Sequence, residues 1–120
     1  MIKLIPDLPN NILGFEASGI VSGKDYEMVL IPAVEEKLAE FPKVRLLYHL
    51  GPDFLSFGLE AMWDDTKVGL KHLSSWERIA VVTDTQWIRS GVHIFRFLLP
   101  GEMRVFTNDE LSVAKEWLSE

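Results

Sequence analysis

At 120 residues, with 48% hydrophobic and 25% charged side chains, the chain has the composition of one folded domain and not of a disordered tail. A net charge of −6 argues against nucleic acid as a partner, because neutralising phosphates needs a basic surface. The absence of cysteine removes disulfides, thiolate metal sites and a cysteine nucleophile.

The opening segment MIKLIPDLPNN lacks the long apolar stretch and small-residue cleavage site of a signal peptide. No uncharged apolar run approaches the ~20 residues that span a bilayer. The expected address is the cytoplasm. Met1 to Ile5 reads as a short strand closed by Pro6 and the turn-forming DLPNN. Ile12 to Ile20 follows with a period of two, Leu13, Phe15 and Ala17 on one face and Gly14, Glu16 and Ser18 on the other. The short connection implies antiparallel pairing.

From Gly23 the period becomes helical, with Tyr26, Val29, Leu30, Ala33, Leu38 and Phe41 on one face. Pro32 interrupts it, which predicts a kink or two abutting helices. Val44 to Leu50 reads as a strand and GPDFLSFG as a loop between glycines. Leu59, Met62, Trp63, Thr66, Leu70 and Leu73 form the next helical stripe. Arg78 to Thr83 is a continuous apolar run entered by one charge, as in a central parallel strand covered on both faces. Asp84 or Thr85 is placed to cap a helix that begins near Gln86 and ends at Pro100-Gly101. Glu102 to Phe106 is the last strand. Thr107 to Glu110 has capping-box spacing, and Leu111, Ala114, Trp117 and Leu118 mark the buried face of the last helix. The order ββαβαβαβα predicts a single α/β domain over residues 1–120, with a mixed, mostly parallel sheet of about five strands, about four helices and the first strand antiparallel.

The blocks AMWDDTKVGLKHL, WERIAVVTDTQW, MRVF and AKEWL together resemble the SpoIIAA-like protein family. The resemblance runs from Asp25-Tyr26 to Trp117. It rests on Ala61, Asp65, Lys67, Gly69, His72, Arg78, Ala80, Val82, Asp84, Trp87, Phe106, Ala114 and Trp117. It implies a STAS-type fold, also compared with lipid-binding CRAL-TRIO domains. It further implies a binding module for small apolar ligands or membrane surfaces, with a mobile helix over a cavity. In the anti-sigma-factor antagonists of that fold, a phosphorylatable serine precedes the second helix in a DSSGL-like turn. Here the place reads Leu55-Ser56-Phe57-Gly58-Leu59. The acid and the expected acceptor are replaced, and Ser56 remains as a degenerate phospho-turn.

The helix over about 85–99 is unusual on its own terms. At ~100° per residue, Trp87, Ile88, Val92, Ile94, Phe95, Phe97, Leu98 and Leu99 cover roughly 220° of its circumference. A helix packed on a sheet needs a stripe of only about 100° or somewhat more. The remaining strip carries Arg89, His93 and Arg96. No acid lies between Thr85 and Gly101, so this stretch is +2 and the rest of the chain −8 (2 − 8 = −6). Three readings stay open: a helix simply buried in the domain, a lid or membrane contact, and a dimer interface.

Other chemistry is sparse. Asp65, Lys67 and His72 concentrate polar groups on one helix, either as a solvated face or as the rim of a pocket. Asp65 and His72 are separated by about 10 Å of helical rise, too far for a direct acid–base pair. His49, His72 and His93 fall on three different elements, with no ligand spacing for a metal. Neither a phosphate-binding glycine loop nor a GxSxG elbow is present. The expectation is a non-enzymatic module without cofactor, binding a small apolar or lipid-like molecule. Reversible contact with the inner face of the membrane and homodimerisation are further expectations. The alternative is a regulatory protein–protein module resembling an anti-sigma-factor antagonist.

Overall fold

In the computed structural model, residues 1–9, 11–61, 67, 71 and 73–120 are described. Five strands form one sheet in the order β1-β2-β3-β4-β5. They are β1 (Ile2–Leu4), β2 (Ile12–Val21), β3 (Val44–Phe57), β4 (Trp76–Val82) and β5 (Glu102–Phe106). β1 pairs antiparallel with β2, and β2 to β5 run parallel. The predicted class and strand directions therefore stand.

The strand order decides where the helices go. Parallel connections are right-handed as a rule, and the strands are added in one direction across the sheet, so the crossovers that carry Tyr26, Leu30 and Val34 and Ile88 and Val92 share one face. α1 (Gly23–Asp25) leads into a π-helical turn (Tyr26–Leu30) and then α2 (Ile31–Glu40). α3 (Gln86–Phe95) runs into a 3-10 turn at Arg96–Leu98. The core on this face joins Tyr26, Leu30 and Val34 to Phe15, Leu46, Tyr48, Ile79, Ile88 and Val92. α4 (Leu111–Ser119) follows the last strand and covers the other face. There Ala114, Trp117 and Leu118 pack on Ile12, Leu47, Ala80, Val82 and Phe106.

Pro32 shapes the first crossover as its chemistry requires. In a regular helix its ring would press on the carbonyl one turn back, at Met28. Instead the turn ahead of it is widened, with the Ile31 N–H donating to the Tyr26 carbonyl, and Pro32 falls in the first turn of α2. Of the stripe predicted on the next helix, Leu59 is almost fully exposed, and Ala61 beside it is buried. Its other positions, Met62, Trp63, Thr66 and Leu70, lie outside the described residues.

The predicted loop GPDFLSFG is instead the second half of β3. Ala17 pairs with Leu50, then Gly19 with Phe54, Ile20 with Ser56 and Val21 with Phe57. The register slips around Gly19, whose φ of +59° suits a bulge and costs glycine little. Pro52 is tolerated because β4 pairs with β3 only as far as His49, leaving no ladder bond to satisfy on that side. Ser56 is thus half-buried in a strand and does not sit in a turn before a helix.

Two capping boxes pin segment ends. The Ser22 N–H and hydroxyl both donate to Asp25 Oδ2, at 2.8 and 3.0 Å, and Thr107 does the same to Glu110 Oε1, at 2.8 and 3.1 Å. Burial pushes the Asp25 carboxyl up, but the hydrogen bonds from Ser22 and the nearby terminal ammonium outweigh it and hold the group below its usual value. The Thr107 backbone and hydroxyl hydrogen bonds hold Glu110 low in the same way. A carboxylate depressed in the folded state stabilises above its unfolded pKa, and that stability is lost as pH falls through the folded value. Chemical-denaturation midpoints should therefore drop as pH falls below about 5. The Asp25→Asn/Glu110→Gln double variant should be less stable at neutral pH and show a shallower acid slope. An unchanged slope would remove both carboxylates from the account.

Candidate functional site

Sheet width explains why α3 is incompletely seated. Five strands about 4.8 Å apart span roughly 19 Å between outer axes, whereas packed helices need 8–10 Å each. A helix over an edge strand has only the margin of that width beneath it. α3 lies there, over the edge strand β5. It seats one narrow stripe, Ile88 and Val92, both under a tenth exposed, with Leu99 packed partly against the core beyond them.

The rest of the expected apolar face is on the surface. Trp87 is 52% exposed, Ile94 69%, Phe95 58%, Phe97 77% and Leu98 66%. Leu99 is not helical as expected. The α-helix stops at Phe95, Arg96–Leu98 tighten into a 3-10 turn, and Leu99 is extended. Thr85 occupies the cap position without a side-chain cap hydrogen bond. Asp84 does not cap α3 either. Its carboxylate accepts from the Asn108 N–H at 3.0 Å and side-chain amide at 3.2 Å, tying the end of β4 to the segment after β5.

An aromatic chain connects this surface to the core. The Trp87 ring meets Phe57 edge-on at 6.2 Å, and Phe57 in turn contacts Phe54 at 5.0 Å and Tyr48 at 6.3 Å. Tyr48 and Tyr26 bring their buried hydroxyls within 2.9 Å. Leu55, Leu59 and Ile20, at the same end of β2 and β3, are exposed as well. Trp76, in contrast, is buried where β4 begins, and Trp117 is core.

The three residues of the polar strip part company. Arg89 is half-buried and donates from Nη1 to the Thr83 carbonyl at 3.0 Å, so it braces the turn into α3. His93 and Arg96 are exposed and border a cavity of about 250 Å³ against Met103, Arg104 and Val105 of β5. A second cavity, of about 380 Å³, lies on the other face between the β1–β2 turn and α4, lined by Ile5, Leu8, Ile12, Leu47 and Leu118 among others. Of the expected rim, Lys67 is helical and exposed, while Asp65 and His72 lie outside the described residues. Among the described residues no three His, Asp or Glu side chains are grouped to hold a metal ion, and no helix is long and apolar enough to cross a membrane.

The model of the SpoIIAA-like family matches residues 12–119. The chain belongs to the SpoIIAA-like family. Its fold is similar to the crystal structure of an uncharacterised protein with a SpoIIAA-like fold from Shewanella loihica PV-4, at 28% identity and a TM-score of 0.79. The match covers 98% of this chain and 92% of that one. No curated protein matches the chain. Family membership supports a non-enzymatic module, which concentrates interest on the surface of α3.

Proposed function

We propose that the chain is a binding module whose working surface is α3 with its 3-10 extension, and that this surface takes up a lipid-like, apolar partner at a membrane surface. The observation that carries the reading is the exposure of Trp87, Ile94, Phe95, Phe97 and Leu98 along one short helical segment. Scattered apolar residues are ordinary on a protein surface, but a contiguous large patch marks a contact site. An interfacial helix needs apolar side chains that enter the acyl boundary and cations that meet anionic head groups. Arg96 supplies the exposed cation and His93 a neighbouring polar donor, in a segment free of acids within a chain of charge −6.

The sheet order favours a surface over a crevice. Ligand clefts in parallel sheets form where the strand order reverses, and this order runs straight from β1 to β5. Binding through an exposed helix asks nothing of such a cleft.

Co-sedimentation with vesicles of graded anionic lipid content tests the proposal. The unmodified chain should bind increasingly as anionic lipid rises and release in part at high salt. Phe95→Asp and Leu98→Asp should each lower partitioning about ten-fold or more, since burying a charge in place of apolar area reverses the sign of the transfer. Both positions are exposed, so the variants should keep their unfolding midpoints. Unchanged vesicle binding in both variants would overturn the reading. Vesicle binding absent altogether, with concentration-dependent self-association abolished by the same substitutions, would replace it with protein–protein contact through this face.

A further inference from the structure

The larger cavity lies on the face of the sheet that α3 does not cover. It opens between the β1–β2 turn and α4, has a volume of about 380 Å³, and is walled by Ile5, Leu8, Ile12, Leu47 and Leu118. The turn is braced on the sheet. The Ile5 N–H donates to the Gly14 carbonyl at 2.8 Å, and the Ile12 N–H to the Pro9 carbonyl at 2.9 Å. Leu8 presses so closely on Gly14 that a Cβ at that position would strike its Cδ1. Between Pro6 and Leu8, Asp7 takes a φ of +63°, a left-handed conformation that a non-glycine residue keeps only where its surroundings impose it. Asp7 and Lys115 stand at the mouth, both exposed, and among the described residues neither side chain has an ion-pair or hydrogen-bond partner. Ser119, one turn after Lys115, donates its hydroxyl back to the Lys115 carbonyl at 3.0 Å.

We propose that this cleft binds a small, neutral, mostly apolar molecule that carries one hydroxyl-like group. The walls supply the affinity. The volume falls within the ~300–1,000 Å³ of ligand pockets, which are likewise lined mainly by apolar side chains with a few polar groups. At ~30 Å³ of liquid per water, the cleft holds on the order of a dozen waters, and aliphatic walls offer them few hydrogen bonds. Displacing such waters with apolar area is favourable. The mouth supplies the selectivity. A carboxylate drawn to Lys115 is repelled by Asp7, and an ammonium meets the reverse. A hydroxyl can accept from Lys115 and donate to Asp7 without bringing a charge of its own out of water. The strand order does not have to reverse for this cleft, because a turn and a helix on one face build it. The site therefore goes beyond the surface reading of α3, which occupies the opposite face.

Titration of the ¹⁵N-labelled chain with 1-octanol, octanoate and octylammonium tests it, because the three share a chain and differ at the head. For 1-octanol, saturable amide shifts are expected in Ile5–Leu8, Leu47 and Lys115–Ser119. Octanoate and octylammonium should each bind about three-fold more weakly or worse. In Lys115→Met, octylammonium should gain on 1-octanol, since Asp7 alone then faces it. Leu8→Ala removes wall area and should weaken 1-octanol binding about three-fold or more. Ser119→Trp crowds the mouth and should do the same. The same spectra show whether each variant is folded. Shifts that do not saturate, that map to α3, or that survive both wall and mouth substitutions overturn the proposal. Octanoate binding as tightly as the alcohol overturns it as well.

Crossing the variants separates this site from the α3 surface. Phe95→Asp, on the opposite face, should leave 1-octanol binding within about two-fold, and Leu8→Ala should leave vesicle binding unchanged. Loss of 1-octanol binding in the folded Phe95→Asp protein overturns the cleft as the site. Saturable binding in the cleft with no vesicle binding overturns the membrane reading alone and leaves the cleft standing.

Discussion

Trp117→Ala is expected to cost about 3–5 kcal/mol, toward the upper end for an aromatic removed from a core. The side chain is 4% exposed and closes the second core against Phe106, whose ring lies 6.0 Å away. That face of the sheet has α4 as its one covering helix among the described residues, so no neighbouring helix can shift to fill the void. The ring is also held from its rim by Arg78 and Arg104, with guanidinium carbons 5.2 and 4.8 Å from its centroid. Arg78 donates to the Trp117 carbonyl and Arg45 to the Leu118 carbonyl, both at 2.6 Å, placing two cations at the negative end of the helix. A domain of this kind has about 5–15 kcal/mol in total, so the loss is a large share of it. Urea unfolding should show the midpoint falling with an unchanged slope, and Trp117→Phe should lose less than half as much. A loss below about 1.5 kcal/mol for the alanine variant would mean that α4 is not the closure described.

The same geometry shows which parts of the fold were open to reading. Repeated alternation of strand and helix periods fixes a parallel sheet, and the hand of the crossovers then places the helices. Tyr26 and Leu30 of the predicted stripe orient the first crossover, whereas Val34, which the stripe left out in favour of Ala33, is the buried residue of α2. The second half of β3 was hidden because its own residues, Gly51-Pro52 and Gly58, are turn formers. What keeps it extended is a bulge at Gly19 in another strand, a non-local cause that no window over residues 51–58 contains.

At α3, the breadth of the apolar arc was legible but its burial was not. Whether a 220° arc is hidden depends on how many helices share the face and how wide the sheet beneath them is. Five strands decide that against it. The cationic strip divides for a similar reason. Arg89 lies close enough to the end of β4 to reach a free carbonyl, whereas His93 and Arg96, one and two turns on, face the edge strand. Arg104 is no companion to them, because the alternation of β5 turns its guanidinium to the other face of the sheet, onto Trp117.

Pro100 and Gly101, read together as a helix stop, are expected to differ sharply when replaced. Pro100 is exposed at the bend, and Pro100→Ala should change stability by less than about 1 kcal/mol, chiefly through the unfolded chain. Gly101 enters β5 beside the start of β4, where the chain runs so close that a Cβ would strike the Trp76 and Glu77 carbonyl oxygens. Those are backbone atoms held by the pairing of β4 with β3 and β5, so they cannot swing aside as a side-chain tip would. Gly101→Ala should therefore cost about 1–3 kcal/mol or more, and Gly101→Val should cost more still. The consequence extends to function because the displaced residue joins the 3-10 turn to the edge strand. Moving it shifts the edge strand beneath α3, so vesicle binding by the folded Gly101→Ala protein should weaken while Pro100→Ala retains it. Equal stability in the two variants would show that the glycine serves only as a stop, and that the spacing between β4 and β5 is not what holds α3 at the margin of the sheet.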